Sequence, residues 1–87
     1  MDMDTHVPGL SMWTVRFYLP GGSHYRTVTL RAPSELVAIA RAGTMDPDAA
    51  KGAGEVRAVP ATWFDCAVAF GRVTADRIFA DERNAVA

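Results

Sequence analysis

The single cysteine and the two histidines are the residues of this 87-residue chain that could support nucleophilic catalysis. A catalytic thiol needs a neighbouring base and surroundings that favour the thiolate. Cys66 instead lies among apolar residues and next to Asp65, and both disfavour a negative charge on sulfur. His6 lies in the leading segment and His24 lies beside a turn. The sequence therefore predicts a buried structural cysteine and no cysteine enzyme.

Metal and nucleotide motifs are incomplete in the sequence. His24 has no histidine or carboxylate at i+2 or i+4, and the spacing of Asp46 and Asp48 stops short of a calcium loop. Residues 52–54, Gly-Ala-Gly, lack the third glycine of a dinucleotide fingerprint and the Lys-Ser/Thr of a P-loop. We interpret Asp46, Asp48 and Glu55 as a solvated acidic group rather than a catalytic one. We expect no catalytic residue, no metal and no cofactor.

One face of a predicted β-hairpin is the best candidate binding site. Its partner-binding residues are predicted to be Met12, Arg16, Tyr18, Tyr25 and Arg31. Methionine, tyrosine and arginine are enriched in protein interfaces, and tyrosine and arginine are frequent hot-spot residues. The same composition also fits the solvated side of an ordinary amphipathic hairpin. It could further bind single-stranded nucleic acid, with bases stacked on tyrosine and phosphates on arginine.

The charge distribution indicates whether a protein or a nucleic acid is the favoured partner. The net charge of −1 gives no overall attraction to nucleic acid or to an anionic membrane. Residues 12–45 carry four arginines and one acid, whereas residues 46–87 carry five basic and seven acidic residues. A basic half and an acidic half could pair head-to-tail or attract a charged partner. Protein binding or self-association therefore ranks first, and nucleic-acid binding is the alternative.

Length and composition indicate one small globular domain. Hydrophobic residues make up 49% of the chain and charged residues 22%, which is ordinary for a folded domain. Residues 1–11 contain Pro8-Gly9 and no periodicity, so we predict a flexible lead before a single domain over 12–87. The sequence has no signal-peptide pattern and no run of roughly 18 apolar residues, so a cytoplasmic protein without membrane contact is expected.

Residues 12–31 must position the candidate site. Two runs rich in β-branched and aromatic residues flank Pro-Gly-Gly-Ser, which is typical of a β-hairpin. Pairing across the turn sets Val15 opposite Val28 and Tyr18 opposite Tyr25. Alternation then gives one apolar face and one polar face, since successive side chains of a strand point to opposite sides.

A helix over 35–42 is predicted to cover the apolar face of the hairpin. Ser34 is a good N-cap residue, and Glu35 would lie at the positive end of the helix dipole. The predicted apolar stripe, with Gly43 also as C-terminal cap, consists of Leu36, Ile39, Ala40 and Gly43.

The second half of the chain gives weaker signals. Asp46-Pro47 can start a short helical turn, and residues 55–59 alternate as a third strand that ends at Pro60. Residues 63–70 fit a buried strand, which their length favours, or a helix capped by Thr62 with Asp65 three residues on.

Two further expectations depend on that segment and on its successor. In the strand interpretation Trp63 points away from Phe64, so it is either an interface anchor or part of a second core layer. Thr74 is expected to cap a last helix, with Val73 and Ile78 as a hydrophobic staple. The inner side of that helix would be Ala75, Ile78 and Phe79.

Together these patterns predict an α+β domain. A hairpin-led antiparallel sheet of three or four strands would carry one or two helices on its apolar face. By elimination we expect a non-enzymatic protein that binds another protein, as an inhibitor or adaptor, alone or as a homodimer. One concrete version is a protein encoded by a phage or mobile element. Eight arginines against one lysine also suggest a high-GC genome.

Overall fold

Strands and helices of the chain form an α+β domain, as predicted. The computed structural model describes residues 11–86, with side chains described for residues 11–80. Its elements are β1 (Met12–Tyr18), β2 (His24–Arg31), α1 (Glu35–Met45), α2 (Pro47–Gly52), β3 (Glu55–Pro60), α3 (Trp63–Phe70) and α4 (Arg72–Val86). The predicted flexible lead lies outside the described residues except for Ser11, whose carbonyl accepts a hydrogen bond from the Ala32 N–H at 3.0 Å.

The sheet has β1 at its centre, in the antiparallel order β2-β1-β3. The predicted hairpin register is confirmed from Met12 to Phe17, but a bulge then sets Tyr18 opposite His24 rather than Tyr25. The turn explains this shift, because the Leu19 N–H bonds the Ser23 carbonyl at 2.9 Å and so closes the loop one residue early. Two glycines at positive φ make that tight loop feasible.

Helices α1 and α2 cover the apolar face of the sheet, as predicted for the first of them. Val15 and Phe17 are almost fully buried there, and they pack in one core cluster with Ala38 and Ala42 of α1 and Ala49 of α2. Small alanine side chains let the helices approach the sheet closely, so the strands supply most of the core volume.

The predicted stripe of α1 is wrong at Leu36 and Ala40, which are both exposed. Leu36 is 79% exposed, and the buried residues of the helix are Ala38 and Ala42. The stripe was assigned from the helical spacing of apolar residues that begins at Leu36, whereas the sheet receives the helix side that contains Ala38 and Ala42. The Ser34 cap is confirmed, since its side chain accepts from the Val37 N–H at 3.3 Å.

The end of α1 and the start of α2 share one capping residue, Asp46. The predicted stop at Gly43 is wrong because α1 continues to Met45, and the Asp46 N–H bonds the Ala42 carbonyl at 2.9 Å. The predicted start at Asp46-Pro47 is confirmed, with the Asp46 side chain accepting from the Ala49 N–H at 3.1 Å. The predicted third strand is confirmed as β3, which sets Val56 opposite Phe17.

Residues 63–70 form helix α3, so the strand interpretation is wrong. Its capping box decides the matter: Asp65 N–H donates to Thr62 Oγ1 at 3.1 Å, and Thr62 N–H donates to Asp65 Oδ2 at 2.9 Å. Two backbone donors that a strand would leave to a neighbour are thus satisfied locally. Gly71, at φ 95°, ends the helix.

Helix α4 packs against α3. It begins at Arg72 rather than at Thr74, and the predicted staple is wrong because Val73 is 70% exposed. The predicted inner side is confirmed. Buried Ala75 and Ile78 pack with Met12 and Cys66 in a second core cluster, with Phe79 against it. Within residues 11–86, no helix combines the length and apolar character needed to cross a membrane.

A candidate binding groove beside helix α3

The structure separates the five predicted site residues. Met12 is buried at 7% exposure in the second core cluster, so it is no part of a surface. Arg16 and Tyr18 stay half-buried on the same sheet face. Arg31 is exposed at the opposite end of that face, beside Met12. The face is therefore divided, because α3 and α4 lie over the end of it that contains Met12.

The two tyrosines do not pair. The Tyr18 ring meets the His24 ring edge-on, with centroids 5.7 Å apart, and the Arg57 guanidinium lies 5.8 Å from its centroid. Across the sheet, the Tyr25 ring lies against Gly52 of α2. The Arg26 guanidinium lies 5.2 Å from the Tyr25 centroid. Each ring therefore already has a cation near it.

A groove of about 310 Å³ lies between α3 and the hairpin. Its floor is polar and comes from Thr14 and Arg16 of β1 and from Thr27 and Thr29 of β2, and its wall is apolar, with Phe64 and Val68 of α3. Phe64 and Val68 are four residues apart, so they share one side of the helix. This groove unites Arg16, a predicted site residue, with helix residues that were not predicted to belong to the site.

The two β1 residues of the floor, Thr14 and Arg16, both interact with Asp65 of α3. Thr14 is 1% exposed, and its hydroxyl, which has no hydrogen bond of good geometry to a described residue, lies close enough to the Asp65 carboxylate to lower the pKa of that group. Arg16 is half-buried, and its positive charge interacts with the Asp65 carboxylate and lowers the pKa of that group. Buried polar groups are normally hydrogen-bonded, and the Asp65 carboxylate is the acceptor nearby for the Thr14 hydroxyl.

Asp65 brings a negative charge to the same groove. Partial burial would raise the pKa of its carboxyl, but hydrogen bonds from Thr62, the nearby Thr14 hydroxyl and the charge of Arg16 outweigh burial and lower the pKa. Asp65 is therefore ionised at neutral pH. Its Oδ2 accepts a hydrogen bond from the Thr62 N–H at 2.9 Å, and its negative charge interacts with the positive charge of Arg16.

Arg57 provides a contrast on the same sheet face. It lies directly opposite Arg16 on β3, but its Nε donates to Glu55 at 2.6 Å. That hydrogen bond, together with the charge of Glu55, raises the pKa of Arg57. The two arginines thus differ in their acidic neighbours, since Arg57 donates directly to Glu55 whereas Arg16 interacts with Asp65 through its charge.

The apolar wall of the groove is unusually exposed. Phe64 is 68% and Val68 72% accessible, although α3 is a well-capped helix. Trp63, the alternative interface anchor, is 37% exposed and donates from Nε1 to the Asp76 carboxylate at 2.7 Å, so it joins α3 to α4. The capping box was the sequence signal that could have shown Phe64 and Val68 on one helix face.

Comparison of the chain with models of protein families, with curated proteins and with solved structures finds no match. The site is therefore interpreted from its chemistry. Within residues 11–80, no cluster of histidine, cysteine and acidic side chains is suited to hold a metal ion. The arrangement offers hydrogen-bond donors on the floor and apolar contact on the wall, which suits recognition of a polar group with an apolar neighbour.

Proposed function

We propose that the protein is a small non-enzymatic module that acts in the cytoplasm by binding another protein on the α3 side of its sheet. The observation that carries this proposal is the exposure of Phe64 and Val68 beside the groove. Exposed apolar side chains next to a concave surface are typical of interaction sites. An inhibitor or an adaptor would both use such a surface.

Energetics support this surface as an anchor. Burial of a fully exposed phenylalanine or valine side chain stabilises a complex by about 1.5 to 3 kcal/mol. Helix α3 is held by its own capping box and by the Trp63–Asp76 hydrogen bond, so little ordering is needed when a partner docks. Pre-organisation of this kind lowers the entropic cost of association.

Two observations favour a protein over nucleic acid as the partner. The guanidinium groups of Arg57 and Arg26 lie near Tyr18 and Tyr25, which reduces the ring area available for base stacking. The groove also contains the ionised Asp65, which repels phosphate. Nucleic-acid binding remains the alternative that an experiment must separate.

The test compares the double variant Phe64→Ser, Val68→Ser with the wild type. Leu36→Ser is the matched control, because Leu36 is also a strongly exposed apolar residue but lies on α1, on the other side of the sheet. Affinity capture from native cytosol should yield a defined protein with the wild type and with Leu36→Ser. The double variant should lose that protein while its circular dichroism spectrum is unchanged.

Three results would contradict the proposal. Capture that survives in the double variant would place the partner elsewhere. Retention of single-stranded DNA at about 0.15 M salt, where exposed charges are screened within roughly 8 Å, would favour nucleic acid. A dimer in sedimentation that the double variant converts to monomer would make a second copy of this chain the occupant of the surface.

A further inference from the structure

We propose that two copies of the chain associate through the outer edge of β2, with the two β2 strands paired antiparallel across a two-fold axis at Val28. This inference goes beyond the proposed function, because it concerns a sheet edge and not the apolar wall of α3. Three features carry it: the direction of the backbone hydrogen bonds, the lack of edge protection on β2, and the self-complementary sequence of that strand.

Backbone hydrogen bonds at the start of β1 show which of its residues face β2. The Ser11 carbonyl accepts from the Ala32 N–H at 3.0 Å, on the side of β2. The Met12 carbonyl accepts from the Ala61 N–H at 2.9 Å, on the side of β3. Successive residues of an antiparallel strand bond to opposite neighbours in turn, so the odd-numbered residues of β1 bond to β2.

Thr27 and Thr29 therefore direct their backbone groups away from β1. Val28 between them lies opposite an odd-numbered residue of β1 and bonds to it. The Arg31 carbonyl follows the same alternation, since it accepts from Arg41 Nη1 at 3.0 Å and not from β1. Within residues 11–86, β2 has no neighbouring strand on its outer side. The N–H and C=O groups of Thr27 and Thr29 thus lie along an edge that can receive another strand.

The two edges of the sheet differ in their protection against an added strand. On β3 the alternation directs Val56, Ala58 and Pro60 outward, and Pro60 has no N–H to donate. Strand β2 has eight residues, none of them proline or lysine, and its bulge lies at the end near the turn. Proline, lysine and bulges are the features that keep exposed edges from pairing. Strand β2 therefore lacks a barrier that β3 has.

Strand β2 fits a second copy of itself when Val28 lies on the two-fold axis. Thr27 of each copy is then opposite Thr29 of the other, and these two pairs join the outward N–H and C=O groups of both strands. Threonine pairs across strands are favourable, and the two Val28 side chains pack together. Arg26 lies opposite Leu30 of the second copy and so meets no like charge. Two-fold dimers are also the commonest assemblies of soluble proteins.

The joined sheet would place two candidate grooves on one side. Residues directly opposite each other on paired strands share a face, and Thr27 and Thr29 both line the groove beside α3. The floors of the two grooves would therefore adjoin across the axis, and the dimer would present two copies of the wall formed by Phe64 and Val68. A partner with two matching segments would gain affinity from multivalent binding.

Sedimentation of the full chain tests the pairing and its register. The wild type should sediment as a dimer. The variant Thr27→Lys, Thr29→Lys sets lysine opposite lysine in both pairs and should be a monomer at the same concentration. The variant Thr27→Lys, Thr29→Glu sets lysine opposite glutamate and should remain a dimer. Both variants change the same two positions, so their difference isolates the charge across the pair.

Amide hydrogen exchange identifies the edge that pairs. The N–H groups of Thr27 and Thr29 should exchange slowly in the wild-type dimer and quickly in the variant with two lysines. The N–H of Val28 bonds to β1 and should stay protected in both proteins. Protection of Val28 also establishes that the variant is folded.

Several results would overturn the inference. These are a monomeric wild type, the same assembly state in the two charge variants, or fast exchange of Thr27 and Thr29 in a dimer. A dimer that Phe64→Ser, Val68→Ser converts to monomer would assign the contact to the wall of α3. If the wild type is a monomer and the Phe64 and Val68 variant alone loses the captured protein, the inference fails and the proposed function stands. A dimer with the expected exchange that captures no protein would give the reverse result.

Discussion

The guanidinium of Arg26 on β2 reaches Asp46 at the junction of α1 and α2. One nitrogen, Nη1, donates to both carboxylate oxygens, at 3.2 Å to Oδ1 and 3.0 Å to Oδ2. The same Oδ1 accepts the Ala49 N–H and so caps α2. A single carboxylate therefore ties an edge strand to the start of a helix.

Asp46 should contribute more to stability than Arg26. Asp46→Ala removes an N-cap and should lower the free energy of unfolding by about 1 kcal/mol. Arg26→Gln removes only the exposed ion pair and should cost less, since the cap on Ala49 remains. Urea unfolding of both variants checks this order. Equal losses would show that the ion pair, and not the cap, is the important interaction.

Asp65 should make part of the stability depend on acid. Its pKa is lowered in the folded chain, so its contribution is present above the unfolded value of about 3.9 and is lost as pH falls through the folded value. Asp65→Asn should be less stable than the wild type at pH 7, and the two should converge in acid. Thermal unfolding from pH 7 downward measures this. A constant difference across that range would refute the assignment.

Truncation of Phe17 should lower the free energy of unfolding far more than truncation of Leu36. Phe17 is 1% exposed at the centre of the sheet, so Phe17→Ala should cost about 3 to 5 kcal/mol and unfold much of the population. Leu36→Ala changes a surface residue and should stay within about 0.5 kcal/mol. Denaturant melts of the two variants decide. A large loss for Leu36→Ala would mean that a partner or second copy covers α1.

The Cys66 thiol should react slowly in the folded protein. It is fully buried against Met12, Ala75 and Ile78, so a thiol reagent reaches it only when α3 and α4 open. Labelling with a chromogenic disulfide should be slow in buffer and fast in urea. Stoichiometric labelling within seconds in buffer would revive the catalytic interpretation of this cysteine.

Sequence reasoning succeeded where only one period fitted. Alternation over residues 12–31 admits a single register, because a shift by one residue would turn Val15 to the polar side. The bulge at Tyr18 was not predicted, because loop closure by the two glycines depends on backbone geometry and not on the side-chain pattern. Residues 63–70 are apolar at nearly every position, so both periods fitted, and only the Thr62–Asp65 box distinguishes them.

Of the residues that form the groove floor, one was predicted from the sequence to belong to the site. Arg16 was identified because its type is common in interfaces. Phe64 and Val68 were missed because large apolar residues are expected inside, and the exposed wall of the groove contradicts that expectation. Met12 was misassigned because the pattern of a single strand does not reveal that distant helices cover its polar side.

The central strand serves two sets of neighbours that scarcely overlap. Val15 and Phe17 pack toward α1 and α2, whereas Met12 packs with α3 and α4 in a separate cluster. Substitutions that share no partner add independently. Substitutions on the α3 side can therefore change which partner the protein binds, while the core on the α1 side keeps the fold. A change in binding specificity need not reduce the stability of that core.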